Sequence, residues 1–304
     1  MLNLKAVNII KTTKLYEENR LLRNLTVVTA YFDIGTFPKG SFSEMQGQKQ
    51  YEKWMIVYKY MQNPVLFYTD SEKYADLFRK IRNTNGSKTK VIIISRENLW
   101  AFKIKPKIAE IYSKPGYPVH YPATYMPEYT CVMHSKLEIV KKAIETKIFA
   151  SKYYCWLDIG YFRYLVDRRK KFYLEVPGDF NDSKIGFTKV YDRDLEKDSA
   201  ESILLTGNVW IGGGLILGKP DTLNLFETHF EKKVEYYLSQ GLMNDDQRIF
   251  YAMYTATERQ KHPINIDVQL YVLDKKKNII PGRNYSKRDD KWFHLGYLMY
   301  NELE

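Results

Sequence analysis

Hydrophobic residues arrive along this chain in short blocks separated by amphipathic stretches. Residues 26–32 (TVVTAYF) are β-branched and free of charge, the pattern of a strand buried on both faces. Residues 37–42 carry Pro38 and Gly40 and read as a loop. The spacing then predicts a helix over 44–61 and a second strand at 65–69. Thr69-Asp70-Ser71-Glu72 has the form of a capping box, opening a helix that runs to about Arg82. A third strand is expected at 90–95, a helix over 98–112, and an irregular, aromatic, proline-bearing loop over 115–127. A long helix over 128–148 leads into a fourth strand at 153–157, which stops at Asp158. The charged, turn-rich stretch 163–203 reads as an excursion over the site. Residues 209–217 (VWIGGGLIL) form a strand-like run, Pro220 opens a long amphipathic helix, and another helix is expected over 245–259. The tail from Ile264 mixes a strand with a basic stretch.

Strand and helix alternation of this kind implies an α/β protein with a mainly parallel sheet. Its ligand crevice then lies at the carboxyl ends of the strands. Asp33, Asp70 and Asp158 stand at such ends. In Trp156-Leu157-Asp158-Ile159-Gly160 a buried strand delivers one carboxylate, and the glycine after it permits close approach. That carboxylate can hold a divalent cation facing a diphosphate, or simply cap a turn. Gly212-Gly213-Gly214 fits neither GxGxxG nor a P-loop; it suggests a strand whose bare backbone meets a ligand, or a bulge. Asn244-Asp245-Asp246-Gln247 opens a helix, so one aspartate serves as N-cap while the other, with Gln247, can reach a substrate hydroxyl. His294 lies in an aromatic run and reads as either a core histidine or a ligand; Lys136 reads as a solvated lysine or an anion partner.

Composition narrows the ligand class. The chain has 304 residues, with 47 Lys plus Arg against 36 Asp plus Glu, a formal net charge of +11. Such a balance favours anionic partners. The 26 tyrosines suit sugar or base stacking as well as packing. Two cysteines, Cys131 and Cys155, make neither a disulfide framework nor a zinc cluster, and a reducing compartment such as the cytoplasm is expected. No apolar run is long enough to span a membrane, and Lys5 and Lys11 interrupt the N-terminus before a signal core can form. Residues 1–24 read as a basic lead-in and 25–304 as a single domain.

The order TVVTAYFDIG, FYTDSE, SKLEIVKKAI and YYCWLDIG resembles the HtrL/YibB family of glycosyltransferase-like proteins, from about Thr26 to about Tyr300. The opening strand and the WLDIG strand carry most of the likeness. The resemblance implies a GT-A fold, a Rossmann-related mixed sheet flanked by helices, and a nucleotide-sugar donor. A looser likeness to glycogenin-like retaining transferases implies roles for single residues. Lys136 matches their lysine before the metal strand, Asp158 the first aspartate of DxD, and Gly212–Leu217 the strand under the sugar. Asp246-Gln247 matches the DQ helix start and His294 the metal-binding histidine. Two departures stand out: DxD is reduced to Asp158-Ile159-Gly160, and the usual HxxG spacing is His294-Leu295-Gly296.

The expected function is therefore sugar transfer from a nucleotide-sugar, UDP-linked by preference, to a glycan or protein-linked acceptor. Thr29, Ala30 and Tyr31 would hold the nucleoside and Asp70 the base or ribose. Lys136, with a manganese ion on Asp158 and His294, would carry the diphosphate. Gly212 and Gly213 would underlie the sugar, and Asp246 and Gln247 would border the reacting carbon. Two rivals are an inactive transferase fold used for binding, and a nucleic-acid-binding protein using the basic loops 103–125 and 275–292. The second is disfavoured because no RRM, KH, helix-turn-helix or zinc pattern is present.

Overall fold

The computed structural model describes residues 24–83, 88–273 and 290–303. The lead-in before Asn24 and most of the basic stretch 275–292 lie outside them. In chain order the strands are β1 (Leu25–Ala30), β2 (Phe37–Lys39), β3 (Ser41–Gln46), β4 (Val65–Thr69), β5 (Thr89–Ile93), β6 (Tyr153–Leu157), β7 (Phe172–Leu174), β8 (Ile185–Lys189), β9 (Ile211–Gly218), β10 (Val268–Tyr271) and β11 (Tyr300–Glu302). The helices are α1 (Gln48–Met55), α2 (Glu72–Arg82), α3 (Trp100–Lys103), α4 (Lys105–Tyr112), α5 (Pro127–Thr146), α6 (Ala200–Thr206), α7 (Pro220–Ser239), α8 (Asp246–Met253), α9 (Ala256–Lys261) and α10 (His294–Met299).

Seven strands form the central sheet in the order β10-β8-β9-β6-β1-β4-β5. β1 pairs in parallel with β4 on one side and β6 on the other, Val27 lying beside Val65 and Cys155. β9 alone runs against its neighbours β6 and β8, so the sheet is mixed and mainly parallel, as expected. The central strands are buried on both faces, which is why they read as unbroken hydrophobic runs. Alternate residues still part: Val28, Tyr68 and Trp156 join one core with α5, α7 and α8. Val27, Phe67 and Cys155 join the other with α1, α2 and α10. Cys131 and Cys155 are buried and free.

Several sequence expectations change. The 37–42 loop is an antiparallel hairpin, β2 with β3, and β3 takes the start of the helix expected at 44–61. The 163–203 excursion contains β8, a strand inside the central sheet; IGFTK is too short and too glycine-marked to stand out between charged neighbours. The capping box does not form: α2 begins after Ser71, whose side chain makes no cap bond. The helix over 98–112 breaks at Ile104, and that over 245–259 breaks at Tyr254 and Thr255. His294, in the aromatic run of the tail, opens a short helix.

Candidate functional site

The sheet changes winding direction between β1 and β6, and the crevice of an open α/β sheet forms beyond the carboxyl ends at that point. A pocket lies there, lined by Ala30, Tyr31 and Phe32 after β1 and by Trp156, Asp158 and Gly160 at the end of β6. Because β9 runs the other way, its N-terminal half, the glycine run, arrives at this same edge. The Asp158 N–H donates to the Gly214 carbonyl at 2.8 Å, continuing the ladder one step beyond the strand.

Lys136, from the middle of α5, enters this edge from one face and is almost wholly buried. Its ammonium stands 3.2 Å from Asp158 Oδ1 and 2.9 Å from Asp246 Oδ2, and donates to the Gly213 carbonyl at 3.0 Å. Four positions spread over 110 residues of sequence thus meet at one ammonium. Under two carboxylates Lys136 is held above the ordinary lysine range despite burial, so it is charged. The lysine expected to face a diphosphate is instead turned toward the chain's own acceptors. Asp158 also accepts the Trp156 indole N–H at 2.7 Å, on Oδ1, and its side chain is 38% exposed, so Oδ2 remains open to the pocket.

The tandem aspartates divide their work. Asp245 is the N-cap of α8, accepting from the Arg248 N–H and pairing with the Arg248 guanidinium at 2.6 Å. Asp246 turns inward and is completely buried. Although Lys136 is within ion-pair distance, neither Asp246 oxygen has a well-formed hydrogen bond among the described residues, and Gln247 Oε1 is likewise buried without one. Burial, outweighing the shared ammonium, pushes the Asp246 carboxyl up to about 7. His134 fixes the approach to this turn: its Nε2 lies 2.9 Å from the Asn244 carbonyl, and burial lowers the imidazole to about 4, so it is a neutral donor. Asn244 in turn donates to the Leu204 carbonyl, tying α6 to the start of α8.

The glycines have protein neighbours. A Cβ on Gly213 would stand 2.5 Å from Asp246 Oδ2, and one on Gly212 would stand 3.3 Å from the Trp292 carbonyl. The bare backbone therefore makes room for Asp246 and the C-terminal segment, where an open sugar-facing surface was expected. Thr29, within β1, is buried, 3.3 Å from the Tyr58 hydroxyl that donates to it, and does not line the pocket. Asp70 shares the carboxyl edge but is paired with Arg96 at 2.5 Å and is also absent from the lining. Ala30 and Tyr31 do line it. His294 is buried directly after Phe293, itself a lining residue. Among the described residues no group of three or more His, Cys, Asp or Glu side chains is arranged to hold a metal ion.

Sequence reasoning missed Lys39, Tyr51, Trp54 and Arg163, all on the pocket wall. Lys39 lay in a presumed loop, and Trp54 in the helix expected over 44–61. Arg163 had a signal: it follows Asp158 by five residues on the same exit.

Among the described residues no helix is long and apolar enough to cross a membrane. Sequence comparison finds Protein HtrL of Escherichia coli (strain K12), 25% identical over 248 residues, spanning 75% of this chain and 83% of that protein. Among solved structures, core-mannan synthase A from Aspergillus fumigatus in its Mn/GDP form aligns over 82% of this chain and 72% of its own. The identity there is 10% and the TM-score 0.41. The profile of HtrL_YibB, described as a bacterial protein of unknown function, matches residues 23–264, and this chain belongs to that family.

Proposed function

We propose that this protein is a glycosyltransferase, residues 25–304 acting as one transferase unit, that moves a sugar from a nucleotide-sugar donor to a glycan or glycosylated acceptor. A UDP-sugar is the favoured donor. One observation carries the reading: Lys136, Asp158, Gly213 and Asp246 converge at the carboxyl edge of the sheet, beside an aromatic pocket at its winding reversal. Tyr31, Tyr51 and Trp54 give the pocket an aromatic wall of the kind that suits a nucleobase. Asp246 Oδ1 and Gln247 Oε1 are buried acceptor oxygens without hydrogen-bond partners among the described residues, and a hydroxyl-rich sugar supplies the missing donors.

Departure of the nucleotide leaves positive charge on the sugar's anomeric carbon. A fixed carboxylate and amide beside it stabilise that charge without reorganising. An aspartate whose pKa is near neutrality can alternatively accept the acceptor's proton. A resident metal centre does not fit these residues: Asp158 Oδ1 is already engaged by Lys136 and Trp156. A cation carried by the diphosphate would find Asp158 as the carboxylate lining the pocket. Titration calorimetry with UDP, GDP and ADP, with and without manganese, joined to an assay of sugar release, tests the reading. No binding of any nucleotide and no release from any donor would overturn it.

A further inference from the structure

The pocket holds two cations that stand apart from the Lys136–Asp158–Asp246 cluster. Lys39 closes β2 and is half-buried; Arg163 opens the short helical turn Arg163–Leu165 on the exit from β6. Both line the pocket with Asp158. The Arg163 guanidinium lies 4.6 Å from the Phe293 ring centre and 5.4 Å from those of Trp54 and Tyr164. Rings orient a guanidinium without neutralising it, and its edge remains free to meet an anion. Among the described residues neither Lys39 nor Arg163 forms an ion pair.

The charge balance at the sheet edge points the same way. With both carboxylates ionised, Lys136, Asp158 and Asp246 carry one net negative charge; with Asp246 protonated they carry none. A diphosphate gains no net attraction from that cluster. Lys39 and Arg163 bring two positive charges, neither held in an ion pair among the described residues, into the same pocket.

We propose that Lys39 and Arg163 form the clamp that binds the diphosphate of a nucleoside diphosphate, while Lys136 acts to position Asp158 and Asp246. This rests on the donor reading above. It also accounts for the state of Lys39. Burial first, and then the positive charges of Arg163 and Lys136, lower its ammonium to about 8, against the opposing pull of Asp158 and Asp245. An anion between the two cations reverses that lowering, so binding near that pH takes up a proton.

The test is calorimetry on the full chain with UDP, GDP, ADP and inorganic pyrophosphate, for the wild type, Lys39→Gln, Arg163→Gln and Lys39→Arg. Thermal unfolding of each variant confirms its fold. Each glutamine variant should weaken the tightest of these ligands roughly 10- to 100-fold, the range for charge-assisted hydrogen bonds, while Lys39→Arg stays within a few-fold of wild type. Runs near pH 8 in buffers of different ionisation heat should show proton uptake in the wild type and none in Lys39→Gln. Nucleotide binding that is unchanged in folded glutamine variants overturns the clamp and leaves the donor reading standing. Binding of pyrophosphate alone, lost in those variants, supports the clamp and overturns the nucleotide. No binding of any probe to the wild type overturns both.

Discussion

Replacing Asp246 by asparagine should stabilise the protein at high pH while lowering its activity. The carboxyl is completely buried, and its pKa is raised from 3.8 to about 7, first by burial and further by the nearby charges of Asp245 and Asp158. Lys136 pulls the other way but shares its charge with Asp158. A carboxyl with a raised folded-state pKa favours the fold in its protonated form. That contribution is complete below the unfolded value of 3.8 and is lost as pH climbs through about 7. The loss amounts to a few kcal/mol at most, on the order of 1.4 kcal/mol per tenfold change in proton affinity, and the ammonium of Lys136 offsets part of it.

Asparagine keeps the shape without the charge, so Asp246→Asn should match wild type near pH 4. It should become more stable by up to that order of magnitude by pH 8. Urea unfolding followed by tryptophan fluorescence across this range measures the difference. The opposite sign is expected if Lys136 and Asp246 form a well-made buried ion pair. Breaking such a pair costs about 3–5 kcal/mol, so the variant would then be weaker at high pH. That outcome, or an offset independent of pH, refutes the argument. A variant gaining stability as it loses sugar transfer would mark Asp246 as strained for function.

Three further expectations follow from the geometry. Gly213→Ala places a Cβ 2.5 Å from Asp246 Oδ2 and should cost about 1–3 kcal/mol in chemical unfolding; an unchanged midpoint would mean that Asp246 moves freely. Asp245→Ala removes the cap of α8 and a partner of Arg248, and should lower stability by about 1–2 kcal/mol from the cap alone; thermal unfolding that matches wild type would contradict the assignment. Manganese titrated into the free protein should bind poorly and bind better with a nucleoside diphosphate present, and Asp158→Ala should remove that gain; tight binding to the free protein would reveal ligands outside the described residues.

The sequence was most informative where burial on both faces forces an unbroken hydrophobic run. β1, β4 and β6 and the helices α5 and α7 stand within a few residues of their expected places. β8 escaped because its five residues are flanked by charge in the sequence, and the β2–β3 hairpin because Pro38 and Gly40 mark a turn without saying that strands flank it. Within the site, the division between Asp245 and Asp246 follows from helix-cap chemistry and was legible. Which way Lys136 faces was not, since that depends on two carboxylates 22 and 110 residues away along the chain. The triple glycine signalled close approach correctly, but a sequence does not say whether ligand or protein approaches.

Gly160 shows how far that last ambiguity reaches. In the DxD pattern this position would be a second carboxylate, and its loss reads as a missing metal ligand. The structure shows what stands in its space: a Cβ on Gly160 would lie 2.5 Å from Trp54 Cε3 and 3.0 Å from Cζ3. Trp54 is buried, packs edge-on against Tyr51 with ring centres 5.0 Å apart, and lies beneath the Arg163 guanidinium. The glycine and the tryptophan are one feature: the Trp54 ring fills the space a second carboxylate would need, and Arg163 lies over that ring. Gly160→Asp should therefore restore no manganese binding. It should expel the Trp54 ring, lower stability by at least about 1–3 kcal/mol, and disturb Arg163 enough to weaken nucleoside diphosphates. Trp54→Ala in the same chain opens the space, so the double variant should be more stable than the sum of the two single losses. Calorimetric metal titration and unfolding of the three variants decide it. A Gly160→Asp protein that binds manganese tightly at wild-type stability would show that Trp54 yields its place, and that space was never the reason for the glycine.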